Sequence, residues 1–524
     1  MLQRLRWLDS IPGPERYVGW LLVAAYVVLA AFIGLIVSTG NVMMVALTVG
    51  AGMGLLLLGM PVATITAVIV GVLVLSGPLV YHVQALARLP WLFSVLGLIL
   101  TGSAIVYAGL GRPDGRRPVP GFMVMGACFF AYAAASALWA DQPVPDAVQG
   151  IKRYLQYWGL FFALAVVAIR PRTVHRWAQL LLAIALIQFL MALYQRLILI
   201  PSLSWTPIDA VVGTLELSQI GTGASGILAL MQVCCIAALL CIYRERLIDG
   251  KRLCAGIVLA GLPLVLGETN ILFVWMPLAL LAVYLDRALD KPVAFLLAAT
   301  VIGTALVAFS SAYLVWQQTG DDTLSPMDRA QIIFEYNLGE SGYHSKTDLN
   351  RKTALEYWWQ HHGGVDPVAT VFGHGIGGSF SSFDMRGWVS EQHGGRHIDL
   401  VAVSSILWDL GVIGLLLFAG TFALAAGRAY RLSRHAANGI DRAMARSAFV
   451  AIVLIASSFF YNNAIVQMPS QQVFSFMILG FVAWLDRRQP RGHRRTRRDR
   501  PPAAWAPRSA TRAPWSRARD RSGP

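Results

Sequence analysis

Residues able to bind anions and move protons collect in one stretch of this sequence, between about Leu314 and Ile398. Six of the ten histidines fall there, His344, His361, His362, His374, His393 and His397, together with Asp, Glu and many aromatics. Arg351 stands where a helix should begin. The segment Asp348–His362 (DLNRKTALEYWWQHH) places Leu349, Ala354, Leu355 and Trp358 at helical spacing, with Asp348 or Asn350 as its cap. A guanidinium stays charged and offers phosphate oxygens a bidentate fork. His397, in Arg396-His397-Ile398-Asp399, stands at the entry to an apolar segment, Leu400–Phe418, that contains Asp409, Gly411 and Gly414. Imidazole titrates near neutral pH without large tuning. Between Arg351 and His397 runs Val371-Phe372-Gly373-His374-Gly375-Ile376-Gly377-Gly378. No strand-turn-helix unit surrounds it, so it is not a dinucleotide motif. Its glycines let backbone N–H groups approach a ligand or another helix closely. His361, His362, His374 and His393 raise the question of a metal. The Gly394-Gly395 pair between His393 and His397 argues against helical i,i+4 ligation, and neither a metal site nor another cofactor is expected.

The elements that must hold these residues are membrane helices. The chain has 524 residues, 56% hydrophobic and 14% charged, with a mean hydropathy of +0.58. That is far from the charged quarter of a soluble domain. Apolar runs recur near 17–37, 41–58, 61–81, 90–110, 119–139, 154–169, 177–197, 223–243, 253–267, 271–285, 292–313, 399–427, 447–466 and 472–486. Most are long enough to cross a hydrocarbon core of roughly 30 Å, where only a helical bundle satisfies the backbone. The expected fold is therefore all-α, a polytopic bundle of about 14 transmembrane helices. Residues 1–313 form its first part, 314–398 one large outer loop, 399–486 its last part, and 487–524 a tail. The first run, Tyr17 to about Val37, is span-length and lacks a small-residue cleavage site, so it reads as a helix rather than a signal peptide.

An even number of spans puts both termini on one side. With that side cytoplasmic, 33 of the 43 Lys and Arg lie inside and 10 outside, as the positive-inside rule requires. The inner share includes Arg170/Arg172/Arg176, Arg244/Arg246/Lys251/Arg252 and Arg428/Arg431/Arg434/Arg442/Arg446. The net charge of +15 owes much to the 13 Arg from Arg487 onward. That Pro- and Arg-rich tail reads as disordered, a topology determinant and a contact for anionic membrane lipids. No nucleic-acid module accompanies it. The five cysteines lie in or beside apolar runs and support neither a disulfide framework nor a cysteine metal site. Segments 253–267 and 271–285 are short and joined by Gly267-Glu268-Thr269-Asn270, either a tight hairpin or the edge of a cavity.

Asn350-Arg351 opening a loop helix, then Phe372-Gly373-His374-Gly375-Ile376-Gly377, then His397 followed by Leu-Trp-Asp-Leu-Gly-Val-Ile-Gly (407–414), resembles in its order the O-antigen ligase/polymerase superfamily. Val212-Gly213-Thr214 and Leu266-Gly267-Glu268-Thr269 resemble it more faintly, and this chain has Asn270 where the family often has a basic residue. The resemblance covers about 100 residues and implies a C-type glycosyltransferase-like architecture in the bacterial inner membrane. It implies action at the periplasmic face on undecaprenyl-pyrophosphate-linked glycans, as donor and acceptor, with a chain-length-regulating co-polymerase as a partner.

Glycosyl transfer needs the acceptor hydroxyl deprotonated and the departing diphosphate's charge compensated, which His and Arg supply without a metal. On that reading Arg351 holds the pyrophosphate and His397 is the base or positions the acceptor. Arg329, Arg396, the Lys152-Arg153 pair and the Gly373-His374-Gly375 turn are further candidates for binding substrate. The structural alternatives are an ion pair of Arg351 with Asp348 or Glu356, and a His397 bonded to backbone at the interface. Tyr336, Tyr343, Tyr357, Trp358, Trp359, Phe383 and Trp388 fit loop core or interfacial anchoring, and such faces also pack on sugar rings. Gly-Glu-Thr followed by a nonbasic residue and Leu-Phe-Val-Trp-Met-Pro favours a polymerase of O-antigen or exopolysaccharide over a ligase that moves the finished glycan to lipid A-core or protein. A lipid-linked-oligosaccharide flippase is the reading from another class. Against it stand the absence of an internal repeat and the concentration of polar residues in one loop.

Overall fold

The computed structural model describes residues 56–83, 89–109, 119–139, 142–202, 210–216, 224–267, 269–293, 326–339, 349–381 and 386–488, with isolated positions besides. Among them the regular elements are all helical, and the one extended pairing is an isolated bridge between Ser381 and Arg386. In chain order they are α1 (Pro61–His82), α2 (Leu89–Gly109), α3 (Gly121–Trp139), α4 (Val144–Leu155), α5 (Trp158–Val166) and α6 (Pro171–Tyr194). Then come α7 (Ala224–Arg244), α8 (Gly250–Leu266), α9 (Leu272–Val283), α10 (Leu285–Asp290), α11 (Pro326–Leu338) and α12 (Arg351–His362). The last are α13 (Pro367–Phe372), α14 (Trp388–Gln392), α15 (Ala402–His435), α16 (Gly439–Ser458), α17 (Ala464–Gln467) and α18 (Pro469–Arg488).

Among the described residues six helices are long and apolar enough to cross a membrane: α1, α2, Gly121–Leu138 in α3, Pro171–Ser202 built on α6, α7 and α15. The chain thus has the make-up of a multi-pass membrane protein. The runs expected at 17–37, 41–58 and 292–313, and the tail, lie largely or wholly outside the described residues. The run at 271–285 is α9, only 12 residues long, followed by the start of α10.

Two expected spans are broken: 447–466 divides between α16, which ends at Ser458, and α17, which starts at Ala464, and packing explains the other. The run 154–169 divides where α4 stops at Leu155 and α5 starts at Trp158. There the chain is crossed by α2 at backbone contact. A Cβ on Gly97 would lie 2.0 Å from the Gln156 carbonyl oxygen, and one on Gly159 would lie 2.3 Å from that of Gly97. Small residues at such crossings let backbones touch. The fully buried Trp158 then packs on Phe129 (5.1 Å between ring centroids) and Phe476 (4.7 Å), tying α5 to α3 and α18.

The two ends of the bundle differ. At one end Glu245, just after α7, accepts from Arg442 (2.9 Å) and Arg446 (3.1 Å) of α16, Arg244 pairs with Asp286, and Arg428 of α15 pairs with Asp486 of α18. These cations belong to clusters that charge counting places together on one side. The other end carries α12 to α14, and side chains cap the N-termini of α12 and α13. Asn350 Oδ1 accepts from the N–H groups of Lys352 and Thr353, while Thr353 Oγ1 accepts from that of Asn350. Asp366 Oδ1 accepts from Ala369 N–H to cap α13.

The run 399–427, expected as one span, falls mostly in α15, which starts at Ala402, is 34 residues long and is interrupted at Gly411, where φ is 63° and ψ −167°. That backbone region is essentially reserved for glycine. A Cβ there would also lie 2.4 Å from the Val371 carbonyl oxygen. Gly411→Ala should therefore destabilise the detergent-purified protein by at least about 1–3 kcal/mol. Gly427→Ala, on the same helix with nothing within 4 Å of its added Cβ, should be neutral or stabilising. Thermal unfolding of the two variants checks this, and equal melting temperatures would contradict it.

Candidate functional site

Arg351 is the first residue of α12, held in place by the Asn350 cap. Its Nε donates to the Tyr461 carbonyl oxygen at 2.6 Å and its guanidinium lies over the Tyr461 ring, 4.4 Å from the centroid. Tyr461 itself stands edge-on to Trp275 of α9. The ion pair on this face of α12 is Lys352 with Glu356 (3.5 Å), so Glu356 has a partner other than Arg351. Asp348 lies outside the described residues.

The turn that follows Tyr461 leads to the second candidate. Asn462 accepts from Ala402 N–H through its carbonyl (3.0 Å), and Asn463 Nδ2 donates to the Asp399 carbonyl (2.5 Å). The Asp399 carboxylate, 3% exposed, accepts from Gln467 Nε2 (2.5 Å), from Ser381 N–H (3.3 Å) and from the Ser381 hydroxyl. Ser381 Oγ also meets His397 Nδ1 at 3.0 Å. Arg351 and His397, 46 positions apart in sequence, are thus tied to one assembly through Tyr461–Asn463 and Asp399.

Arg153 joins the same place. Its guanidinium lies 4.1 Å from the centroid of Phe380, next in sequence to Ser381, and burial holds its pKa below the usual value while Asp399 and Asp409 oppose that. Its Nη1 is buried with no hydrogen-bond partner among the described residues. Beside it Lys152 lies over the Trp91 ring (4.0 Å), its pKa pushed down to about 8 by burial and by Arg153, against the pull of Glu216. Glu216 accepts from Ser470 N–H and Oγ, both at 2.9 Å, and burial pushes its pKa up to about 7. Two α6-side glutamines hold the turn that delivers it. Gln195 bonds the N–H groups of Val212 and Gly213 and the Gly213 carbonyl, and Gln188 bonds Thr214. Arg396 lies over the Tyr357 ring at 5.3 Å. Arg329 is on α11, and its side chain is outside the described residues.

The Gly-rich turn reaches a helix. His374 N–H donates to the Trp408 carbonyl and Gly375 N–H to that of Asp409, both at 2.9 Å. A Cβ on Gly373 (φ +73°) would sit 2.4 Å from the Asp409 carbonyl oxygen. The Gly373-His374-Gly375 backbone proposed to bind substrate is therefore spent on docking the loop against α15. Farther on, Gly377 N–H (3.2 Å) and Ser379 N–H (2.8 Å) donate to the Asp409 carboxylate, which also accepts from Tyr154 OH (2.9 Å).

The His374 side chain is also engaged. His362 Nδ1 faces the Trp358 carbonyl (3.0 Å), so it must carry the proton, leaving His362 Nε2 to accept from His374 Nε2 at 2.9 Å. Both rings, with that of His393, pack around Trp408 at 4.5 Å (His362), 4.8 Å (His393) and 6.0 Å (His374). Burial, then His362, pushes the pKa of His374 down to about 4, and burial also lowers those of His362 and His393. Among the described residues no group of three or more His, Cys, Asp or Glu is arranged to hold a metal ion.

Sequence reading missed Ser381, Asp399 and Glu216. The signal for Asp399 was its place two residues after His397; Glu216 followed Val212-Gly213-Thr214. Nothing local marked Ser381. No protein-family model matches the chain, and no curated protein sequence matches it.

The His362–His374 contact sets a pH dependence. Both groups are held neutral with pKa values below the ordinary 6.5, so the unfolded chain takes up their protons first. Their stabilising contact is present above about pH 6.5 and is lost as pH falls toward 4. His361 and His393 oppose protonation at this pair and Asp366 favours it. The melting temperature should fall between pH 7.5 and 5 in the wild type and fall less in His374→Asn. Identical pH slopes would contradict the assignment.

Proposed function

We propose that this chain is a membrane glycosyltransferase that polymerises undecaprenyl-pyrophosphate-linked oligosaccharide repeat units into O-antigen or exopolysaccharide. It would work at the periplasmic face of the bacterial inner membrane, in a bundle of about fourteen spans with both termini in the cytoplasm. The observation that carries the reading is the way the loop end holds its cations. Lys152, Arg153, Arg351 and Arg396 lie over the rings of Trp91, Phe380, Tyr461 and Tyr357; the opposite end also sets Arg244, Arg287 and Arg434 over Tyr284 and Tyr430, but pairs Arg244, Arg428, Arg442 and Arg446 with carboxylates. Arg153, whose Nη1 is buried with no hydrogen-bond partner among the described residues, has a charged donor to offer a diphosphate oxygen.

In the reaction, Arg351 and Arg153 bind the donor diphosphate. The acceptor hydroxyl oxygen forms its bond to the donor's anomeric carbon as its proton passes to His397. The bond from that carbon to the diphosphate oxygen breaks, and its electron pair leaves with undecaprenyl diphosphate, whose added negative charge the guanidinium groups meet. Glycosyl transfer of this kind needs proton removal and charge stabilisation, each supplied by one part of the site.

Purified protein should extend purified undecaprenyl-pyrophosphate-linked repeat units, with EDTA having no effect. His397→Ala should lower the rate by on the order of 10²–10⁴-fold at unchanged protein level. Arg351→Lys, which keeps charge but loses the planar fork, should be strongly impaired rather than changed by the factor of about five or less expected of a surface ion pair. Chain lengths on gels report the outcome. Wild-type extension by His397→Ala removes it from catalysis, and transfer only to lipid A-core would make the protein a ligase.

A further inference from the structure

We infer that Ser381 and Asp399 lock His397 in the tautomer protonated on Nδ1, so that Nε2 is the atom that takes the acceptor's proton. The inference rests on the reading of His397 as the base and names two positioning residues for it.

Asp399 offers one carboxylate, and two N–H donors besides the serine point at it, Gln467 Nε2 at 2.5 Å and Ser381 N–H at 3.3 Å, both on Oδ2. An ionised carboxylate can only accept. Arg153, whose charge interacts with that of Asp399, adds a cation beside it. The Ser381 hydroxyl has a single proton and two neighbours, Asp399 Oδ1 and His397 Nδ1. That proton goes to the carboxylate, which has none to give back. Facing Nδ1 at 3.0 Å, Ser381 Oγ can then only accept, and so Nδ1 carries the hydrogen. In neutral imidazole the lone pair is left on Nε2.

The frame that holds this relay is rigid. Ser381 is 6% exposed and the Asp399 carbonyl is bonded by Asn463 Nδ2 (2.5 Å) and Ser405 Oγ (3.1 Å), which anchors it at the start of α15. When the acceptor's proton arrives on Nε2, the imidazolium keeps its Nδ1–H on Ser381, and Asp399 balances the new positive charge through the hydroxyl. No proton leaves Nδ1, so the relay orients and stabilises without itself titrating. Asp399 and Ser381 thus need never touch substrate.

Two measurements separate this from the base assignment itself. In protein labelled with ¹⁵N-histidine, with His397→Gln used to assign its signals, the wild-type His397 should show a protonated Nδ1 and an unprotonated Nε2 above its own titration. Ser381→Ala should shift the population toward protonated Nε2. In chain extension, Ser381→Ala should lower kcat by on the order of 10²-fold with little change in KM, and Ser381→Thr, which restores the hydroxyl, should recover most of it. A wild-type His397 protonated on Nε2, or a Ser381→Thr variant as poor as Ser381→Ala despite normal folding, overturns the inference. An active His397→Ala protein overturns the base assignment instead, whatever the tautomer.

Discussion

The buried carboxylate of Asp409 is the contact on which the loop end depends. It is fully shielded from solvent, and an ionised group in such a place costs several kcal/mol unless donors surround it. Here Tyr154 of α4 and the N–H groups of Gly377 and Ser379 supply them. One side chain at the break in α15 therefore ties together a bundle helix, an amphipathic connector and the Gly-rich turn. Phe380 and Ser381 follow directly from the residue it binds, and through them Arg153 and His397 take their places. The crossing is made closer by two glycines set against each other. Gly373 abuts the Asp409 carbonyl and Gly411 abuts that of Val371. Tyr132 of α3 seals the junction, its hydroxyl 3.0 Å from the carbonyl oxygens of both Phe372 and Leu410 and sharing its one proton between them.

How much of this could be read beforehand depended on the range of each interaction. Helix α12, its Asn350 cap and the place of Arg351 in the first turn are local, and they follow from spacing and capping chemistry alone. The partner of Arg351 is not local, because Tyr461 lies 110 positions away. The Gly-rich turn was visible as a close-approach element, but whether it approached a ligand or a helix depended on α15, whose break at Gly411 leaves no mark in hydropathy. The same limit applies to α4 and α5. Composition reads 154–169 as one apolar run, and only the crossing by Gly97 divides it. Ser381 and Glu216 become chemical groups through what distant segments bring to them: Asp399 and His397 in one case, Ser470 and the Lys152 charge in the other.

The two ends of the bundle also differ in what their charges are for. Opposed carboxylates at Glu245, Asp286 and Asp486 hold α7, α15, α16 and α18 together and leave little field to spare. At the loop end Lys352 pairs with Glu356, four other cations lie over aromatic rings, and the carboxylates of Asp399 and Asp409 are turned mainly toward hydroxyl and amide donors.

The central claim is that a lipid diphosphate seats at this loop end. Hydrogen–deuterium exchange of the purified full-length protein, with and without undecaprenyl diphosphate, tests it most directly. Protection should appear together in 349–362, 376–381 and 461–467, the three segments that carry or frame Arg351, Ser381 and Asp399, with the 244–252 and 439–446 segments unchanged. Exchange that is unaltered in all three, or protection confined to the opposite end, would contradict the account.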